Sequence, residues 1–196
     1  MSELVVLLDA DGRAVGTAAK SEVHHGETSR HLAFSAYLFD PDGALLLTRR
    51  SAAKLTFPGL WTNSVCGHPS PGEALPAAVR RRARDELGTR VEGLRLVLPQ
   101  FAYVARMAGI VENEWCPVYA GLLADRALVV NPDEVDDTEW VDWPAFAAQV
   151  LAGRRAVSPW CREQVALLWQ LGPDPASWVA ADADLLPPAA RVGTSE

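Results

Sequence analysis

The sequence predicts an α+β protein: a mixed β-sheet sandwich flanked by helices. Apolar runs of strand length, closed by turns such as D-A-D-G and D-P-D-G, fill the first quarter of the chain and recur beyond its midpoint. Helical periodicity is confined to a few segments that do not alternate with the strands in strict β-α-β order, which argues against a doubly wound sheet. Finally, 196 residues that are 49% hydrophobic suffice for one core without a disulfide or structural metal. The expected organisation is one domain over 1–172 and a tail over 173–196.

The elements follow in order. Residues 4–8 form a short apolar strand, and 15–18 can pair back on it. A polar stretch, K-S-E-V-H-H-G-E-T-S-R-H, comes next. The apolar run from Leu32 to Phe39 breaks at D-P-D-G and resumes as A-L-L-L-T before Arg49 and Arg50, the pattern of a β-hairpin. Between 51 and 72, Gly59, Gly67, Gly72, Pro58, Pro69 and Pro71 predict a long irregular connection, and long loops inside compact domains are usually functional. From Glu73 the pattern turns helical. Leu75, Val79, Ala83 and Leu87 recur every four residues, Pro76 is tolerated in the first turn and Gly88 ends the helix, with Arg82 and Glu86 on a different stripe. Strands are expected near 94–105, 110–122 and 139–141, and helices near 144–151 and 159–171. Beyond Gly172 the text is rich in Ala, Pro and Asp with weak periodicity, so the tail is expected to be poorly ordered.

Charge narrows the function. The balance of 18 basic against 25 acidic residues, net −7, argues against a nucleic-acid or anionic-membrane binder and leaves room for a local basic pocket. Of the 18 cations only Lys20 and Lys54 are lysines. The N-terminal apolar run is too short for a leader or a membrane span, and Cys66, Cys116 and Cys161 lack metal or disulfide spacing. These features predict a cytoplasmic protein with free thiols; a monomer is favoured, with the oligomeric state left open.

Four histidines, His24, His25, His31 and His68, precede residue 69 in polar contexts. Taken singly, each reads as a solvated loop residue. In I-V-E-N-E-W-C, period-two geometry points Glu112 and Glu114 to one face, costly if buried without a partner and unremarkable if exposed. Three histidines and two glutamates can supply five N/O ligands to one divalent ion, suited to six-coordinate Mn, Mg or Fe and less typically to zinc. Lys20, Arg50, Lys54 and Arg82 can likewise form a phosphate pocket, although surface cations are common.

The segment 67–88 resembles the Nudix box, G-x5-E-x7-R-E-U-x-E-E-x-G-U, through Gly67, Glu73, Arg81, Glu86 and Gly88. Arg82 stands where the box has its first Glu after Arg, and Asp85 replaces the next one. Exchanging a metal-binding acid for a cation disfavours pyrophosphate hydrolysis, while Arg82 suits a bound diphosphate. The strings T-R-R (48–50), P-G-L-W-T-N-S-V-C-G-H-P (58–69), G-I-V-E-N-E-W-C-P-V (109–118) and S-P-W (158–160) closely resemble the isopentenyl-diphosphate delta-isomerase family of the metal-dependent, Nudix-like type, over about residues 4–171.

That resemblance implies interconversion of isopentenyl and dimethylallyl diphosphate through a tertiary carbocation, in isoprenoid precursor synthesis. It implies metal ligands at His24, His31, His68, Glu112 and Glu114, carrying Mn2+ or alternatively Mg2+ or Zn2+, with His25 outside the motif. It also implies a catalytic thiol at Cys66, its acid/base partner at Glu114, and Tyr103 assisting proton delivery. Glu86 is implied to hold a Mg2+ on the substrate diphosphate, with Lys20, Arg50, Lys54 and Arg82 as diphosphate contacts. Trp160 is implied as an aromatic wall, and Trp61 is a second candidate to face the carbocation. Two readings stay open beside it: a Nudix hydrolase of a nucleoside or prenyl diphosphate, and a Nudix-like ligand sensor with a degenerate box.

Overall fold

The computed structural model describes residues 3–23, 25–124 and 126–192. The chain runs β1 (Leu4–Leu8), β2 (Ala14–Ala19), α1 (Lys20–Val23), β3 (His31–Leu32), β4 (Phe34–Phe39), β5 (Ala44–Arg50), β6 (Trp61–Thr62), β7 (Val65–Gly67) and α2 (Leu75–Leu87). It continues through β8 (Val91–Leu98), β9 (Ala102–Met107), β10 (Ile110–Trp115), β11 (Val118–Leu123), β12 (Val135–Asp142), α3 (Trp143–Leu151) and α4 (Pro159–Leu168), then closes in short 3-10 turns. Among the described residues one sheet has the order β2-β1-β3-β10-β9. The other runs β12-β5-β4-β11-β8, with β6 beside β5 and β7 beside β4.

The two sheets are joined where a pair of strands changes sheet together. β3 lies parallel to β10 in the first sheet, and their continuations β4 and β11 lie parallel in the second. Between them the ladder is carried by the Ala33 N–H on the Trp115 carbonyl at 2.9 Å and the Ser35 N–H on the Pro117 carbonyl at 3.1 Å. Pro117 has no N–H to give, so the strand that the apolar run 110–122 predicts is interrupted there and redirected. Pro99 does the same to the expected strand 94–105, which is two strands, β8 in the second sheet and β9 in the first. β12 is longer than expected because its half-exposed D-D-T-E stretch hides the alternation. The loop 51–72 holds two strands too short to show a period.

Helix α2 buries Leu75, Ala78, Val79, Arg82, Ala83, Glu86 and Leu87, a face at i, i+3, i+4, i+7 spacing that includes a cation and an acid. Gly88 caps it at φ 65°, and a Cβ there would meet Val129 at 2.7 Å. α4 stops at Leu168, with the expected last turn wound as a 3-10 helix before Gly172.

The tail departs from expectation: residues 173–192 pack on the domain. Trp178 is buried with its ring 5.2 Å from Trp143 and 5.9 Å from Phe39, and its indole N–H donates to the Gly172 carbonyl. Arg95 donates to the carbonyls of Pro175, Ala176 and Trp178, and the Ala181 N–H reaches Leu96 of the edge strand β8. Leu186 and Ala190 are buried further on. Scattered anchors on a strap with no repeating period bury apolar area without announcing it in the sequence. Residues 193–196 lie outside the described part. No helix among the described residues is long and apolar enough to cross a membrane.

Candidate active site

β10 places the carboxylates. Its register sets Glu114 opposite Tyr103 of β9 on one side and His31 of β3 on the other, so three polar side chains form one row across three strands. The row faces β7 and the loop after it, which bring Cys66 and His68. All three of His31, His68 and Glu114 are buried, and each offers a ligand atom within 4.8 Å of the others. Glu114 Oε1 lies 3.3 Å from His31 Nε2 and 3.0 Å from His68 Nε2, close to the separation of about 3 Å expected for neighbouring N/O ligands bound at about 2.1 Å. The Ser29 carbonyl, which can only accept, lies 3.0 Å from His31 Nδ1 and fixes the proton there, leaving Nε2 for the cluster. Two imidazoles and a carboxylate, buried and convergent, fit a divalent cation. Nearby Glu114 lifts the His31 pKa against the opposing pull of burial, whereas burial wins at His68 and pushes it down to about 4.

The other expected ligands are placed less simply. Glu112 faces the same cavity but is not among the converging atoms, and His24 lies outside the described residues. His25 turns into its own loop, where its Nδ1 accepts from the Glu27 N–H. The Tyr103 hydroxyl is 2.9 Å from Oε2 of both Glu112 and Glu114. One hydroxyl proton serves only one of them, so the second contact calls for a proton on a carboxyl. Burial, then the neighbouring Glu114, push Glu112 in that direction.

Cys66 is half-buried at the cavity floor, and burial pushes its thiol up to about 11 despite hydrogen bonds from its surroundings. The raised value keeps it a neutral thiol. Its Sγ donates to Asn63 Oδ1 at 3.1 Å and lies 3.5 Å from Ser35 Oγ. Asn63 Oδ1 also accepts from Trp160 Nε1 at 3.2 Å and Thr62 Oγ1 at 2.9 Å, while its Nδ2 holds the Ala36 and Val65 carbonyls. One buried amide thus sets both the thiol and the aromatic wall. Trp160 stands edge-on to Phe57 at 5.3 Å and 5.5 Å from Tyr103. Trp61, the other aromatic candidate, does not line the cavity and instead carries Arg155 at 5.4 Å from its ring.

The cavity, of about 440 Å³, brings these groups together with all four expected phosphate contacts, Lys20, Arg50, Lys54 and Arg82. Each cation is already engaged. Lys20 pairs with Glu3 at 2.8 Å, Lys54 with Glu134, and Arg82 with Glu86 at 2.5 Å and Glu134 at 3.0 Å. Arg50 holds the Thr56 and Phe57 carbonyls, where Phe57 adopts a positive φ, and stacks 5.4 Å over Trp160. Burial outweighs Arg82 at Glu86 and pushes that carboxyl up.

The remaining box residues are scaffolding. Arg81 clamps Glu73 through two hydrogen bonds and donates to the His68 carbonyl at 3.1 Å. A Cβ on Gly67 would come within 3.1 Å of the Arg82 side chain, so glycine lets the cation lie across β7. Asn63, Glu3 and Glu134 join the site beyond the residues expected from sequence; Asn63 alone carries a visible signal, its place in T-N-S-V-C-G-H.

The fold and site define a NUDIX-domain protein, and the NUDIX domain matches residues 29–161. The DR0079 protein of Deinococcus radiodurans superposes with a TM-score of 0.64 at 23% identity, covering 84% of this chain and 98% of that one. A MutT protein of Methanosarcina mazei Go1 gives 0.56 at 18% identity, over 72% and 94% of the two chains. These establish the fold. Sequence relatives are more specific. The isopentenyl-diphosphate Delta-isomerase of Saccharopolyspora erythraea is 53% identical over 97% of this chain and 98% of its own. That of Mycolicibacterium vanbaalenii is 56% identical over 85% and 92%. The chain belongs to the isopentenyl-diphosphate Delta-isomerase family.

Proposed function

We propose that this chain is an isomerase that interconverts isopentenyl diphosphate and dimethylallyl diphosphate, through a tertiary carbocation, in isoprenoid precursor synthesis. The observation that carries the reading is a single cavity lined by a neutral thiol, a tyrosine-bonded carboxylate and a tryptophan together with four cations. The alkene is a weak base, so a proton must reach C4 as the tertiary cation forms at C3, and another must leave C2. Cys66 and Glu114, carried by different strands, serve these two steps, and Tyr103 links Glu114 to Glu112 as a relay. Trp160 shields the cation from water and stabilises it by about 2 kcal/mol or more in a desolvated site. Lys20, Arg50, Lys54 and Arg82 hold the diphosphate, so binding far from the reacting carbons positions them.

His31, His68 and Glu114 would hold one divalent ion, Mn2+ or alternatively Mg2+ or Zn2+, with Glu112 and His24 as the further proposed ligands, and Glu86 would help hold a Mg2+ on the substrate diphosphate. Such an ion supplies a fixed positive charge that orients Glu114 and tunes its basicity. On this reading the chain acts as a monomer on a small molecule in the cytoplasm, a compartment that its free cysteines suit.

Turnover of isopentenyl diphosphate in heavy water tests the reading. Solvent deuterium should enter the C2 and C4 positions with no release of phosphate or pyrophosphate. Hydrolysis at a rate comparable to isomerisation would instead favour the hydrolase reading, which the Arg82–Glu86 pair in the box disfavours.

A further inference from the structure

We propose that Glu134 is a resident anion of the diphosphate cradle: its carboxylate holds, in the free protein, the place between Lys54 and Arg82 that a substrate phosphate takes, and so decides which anions enter. This rests on the reading of the cavity as a diphosphate site.

The placement is built by the backbone. The chain after β11 crosses the end of α2, where the N–H groups of Val129 and Asn131 donate to the carbonyls of Leu87 and Glu86 at 2.9 and 2.8 Å. Gly88, lacking a Cβ, permits that approach. Glu134 then donates its N–H to the Asn131 carbonyl and accepts from the Ser51 N–H, both at 3.0 Å, at the root of the loop that carries Lys54. These bonds fix the backbone of Glu134 at the cavity rim, and Arg82 and Lys54 hold its carboxylate there.

Its two oxygens divide the work. Oε1 lies 3.0 Å from Arg82 and Oε2 pairs with Lys54, with 19% of the side chain exposed. Burial opposes its charge, yet Arg82 and Lys54 overcome that and hold the carboxyl at about 2, so it is ionised at any working pH. An incoming anion must therefore exchange for a carboxylate that already bridges two cations. A single phosphate offers one centre against that bridge. A diphosphate offers two linked centres and a larger charge, so it replaces both contacts at once. Glu134 lowers affinity for all anions and lowers it most for the small ones, which selects the diphosphate.

The test is the dissociation constant of inorganic pyrophosphate and of inorganic phosphate for the full chain and for Glu134→Gln, at one pH and ionic strength. The neutral amide keeps the shape and an acceptor for Arg82 but removes the competing charge. Pyrophosphate should bind about tenfold tighter to the variant and phosphate tighter still, so the preference for pyrophosphate narrows. Glu139→Gln, whose partner Arg155 lies outside the cavity lining, controls for net charge and should change neither constant. Unchanged or weaker binding by Glu134→Gln overturns the inference while leaving the diphosphate site intact. Failure of the unaltered chain to bind pyrophosphate at all overturns the site itself. If Glu134→Gln does not fold, Glu134→Asp, which keeps the charge but shortens its reach, should move both constants the same way by a smaller factor; no movement there counts against the inference.

Discussion

The two sides of the cavity solve opposite problems by opposite means. Around Cys66, Tyr103 and Glu112, burial is the dominant influence and pushes each group toward its neutral, proton-carrying form. Around Lys54, Arg82 and Glu134, charge neutralises charge, and the ions persist despite burial because each has an opposite partner. Proton transfer needs groups whose protons are negotiable, whereas anchoring a polyanion needs cations that stay charged. Two titration regimes thus coexist within one small cavity.

The sharpest way to break that contrast is on the neutral side. Cys66→Ala should fold and bind metal normally but lose about 10²- to 10⁴-fold in kcat, with KM little changed, because a lost acid or base is not replaced by binding. Steady-state kinetics beside a thermal melt reads both halves. Activity within threefold of the unaltered chain would make the thiol structural.

On the ionic side the expected loss falls on stability and binding. Arg82→Ala strands Glu86 and leaves Glu134 with Lys54 alone, and removing one member of a buried ionic cluster costs about 3–5 kcal/mol. A lowered denaturation midpoint with a raised KM is the expected pair of results. A change in kcat alone would contradict the division. His31, His68 and Glu114 make a third group that fits a cation. Mn2+ should raise the melting temperature of the unaltered chain, and His68→Gln should abolish most of that rise, as calorimetry would show.

The smallest effect concerns acid. Because the folded-state pKa of Glu134 is depressed from 4.5 to about 2, its stabilisation is present above pH 4.5 and is lost as the pH falls through 2. Glu134→Gln should therefore show a flatter loss of stability over that window than the unaltered chain, measured by urea denaturation at stepped pH.

How much of this the sequence disclosed follows from the same contrast. Residues inside distinctive strings were visible: Cys66 and His68 in T-N-S-V-C-G-H-P, Glu112 and Glu114 in E-N-E, Trp160 in S-P-W. The α+β sandwich was legible because turns and periodicity mark it, although Pro99 and Pro117 divide strands that the apolar runs join. Glu134 and Glu3 were not legible, since each is one acid among 25 and gains meaning only from a cation distant in sequence. The strap after Gly172 was hidden for a similar reason. Trp178, Leu186 and Ala190 bury themselves one at a time, and one-at-a-time burial has no period.

The shared crossing of strands between the sheets has a mechanical consequence. His31 and Glu114 lie just before the crossing, and Ser35, which backs Cys66, lies just after it. The gap between the carboxylate and the thiol is therefore spanned by a few residues of paired, hydrogen-bonded backbone. A thermal fluctuation that slides one sheet over the other must bend this short double beam before it can alter that gap. The thiol and the carboxylate thus behave as the jaws of a caliper with a stiff frame, while Lys54 and Glu134 sit on a separate mount, the loop and the segment that the Ser51 N–H ties together.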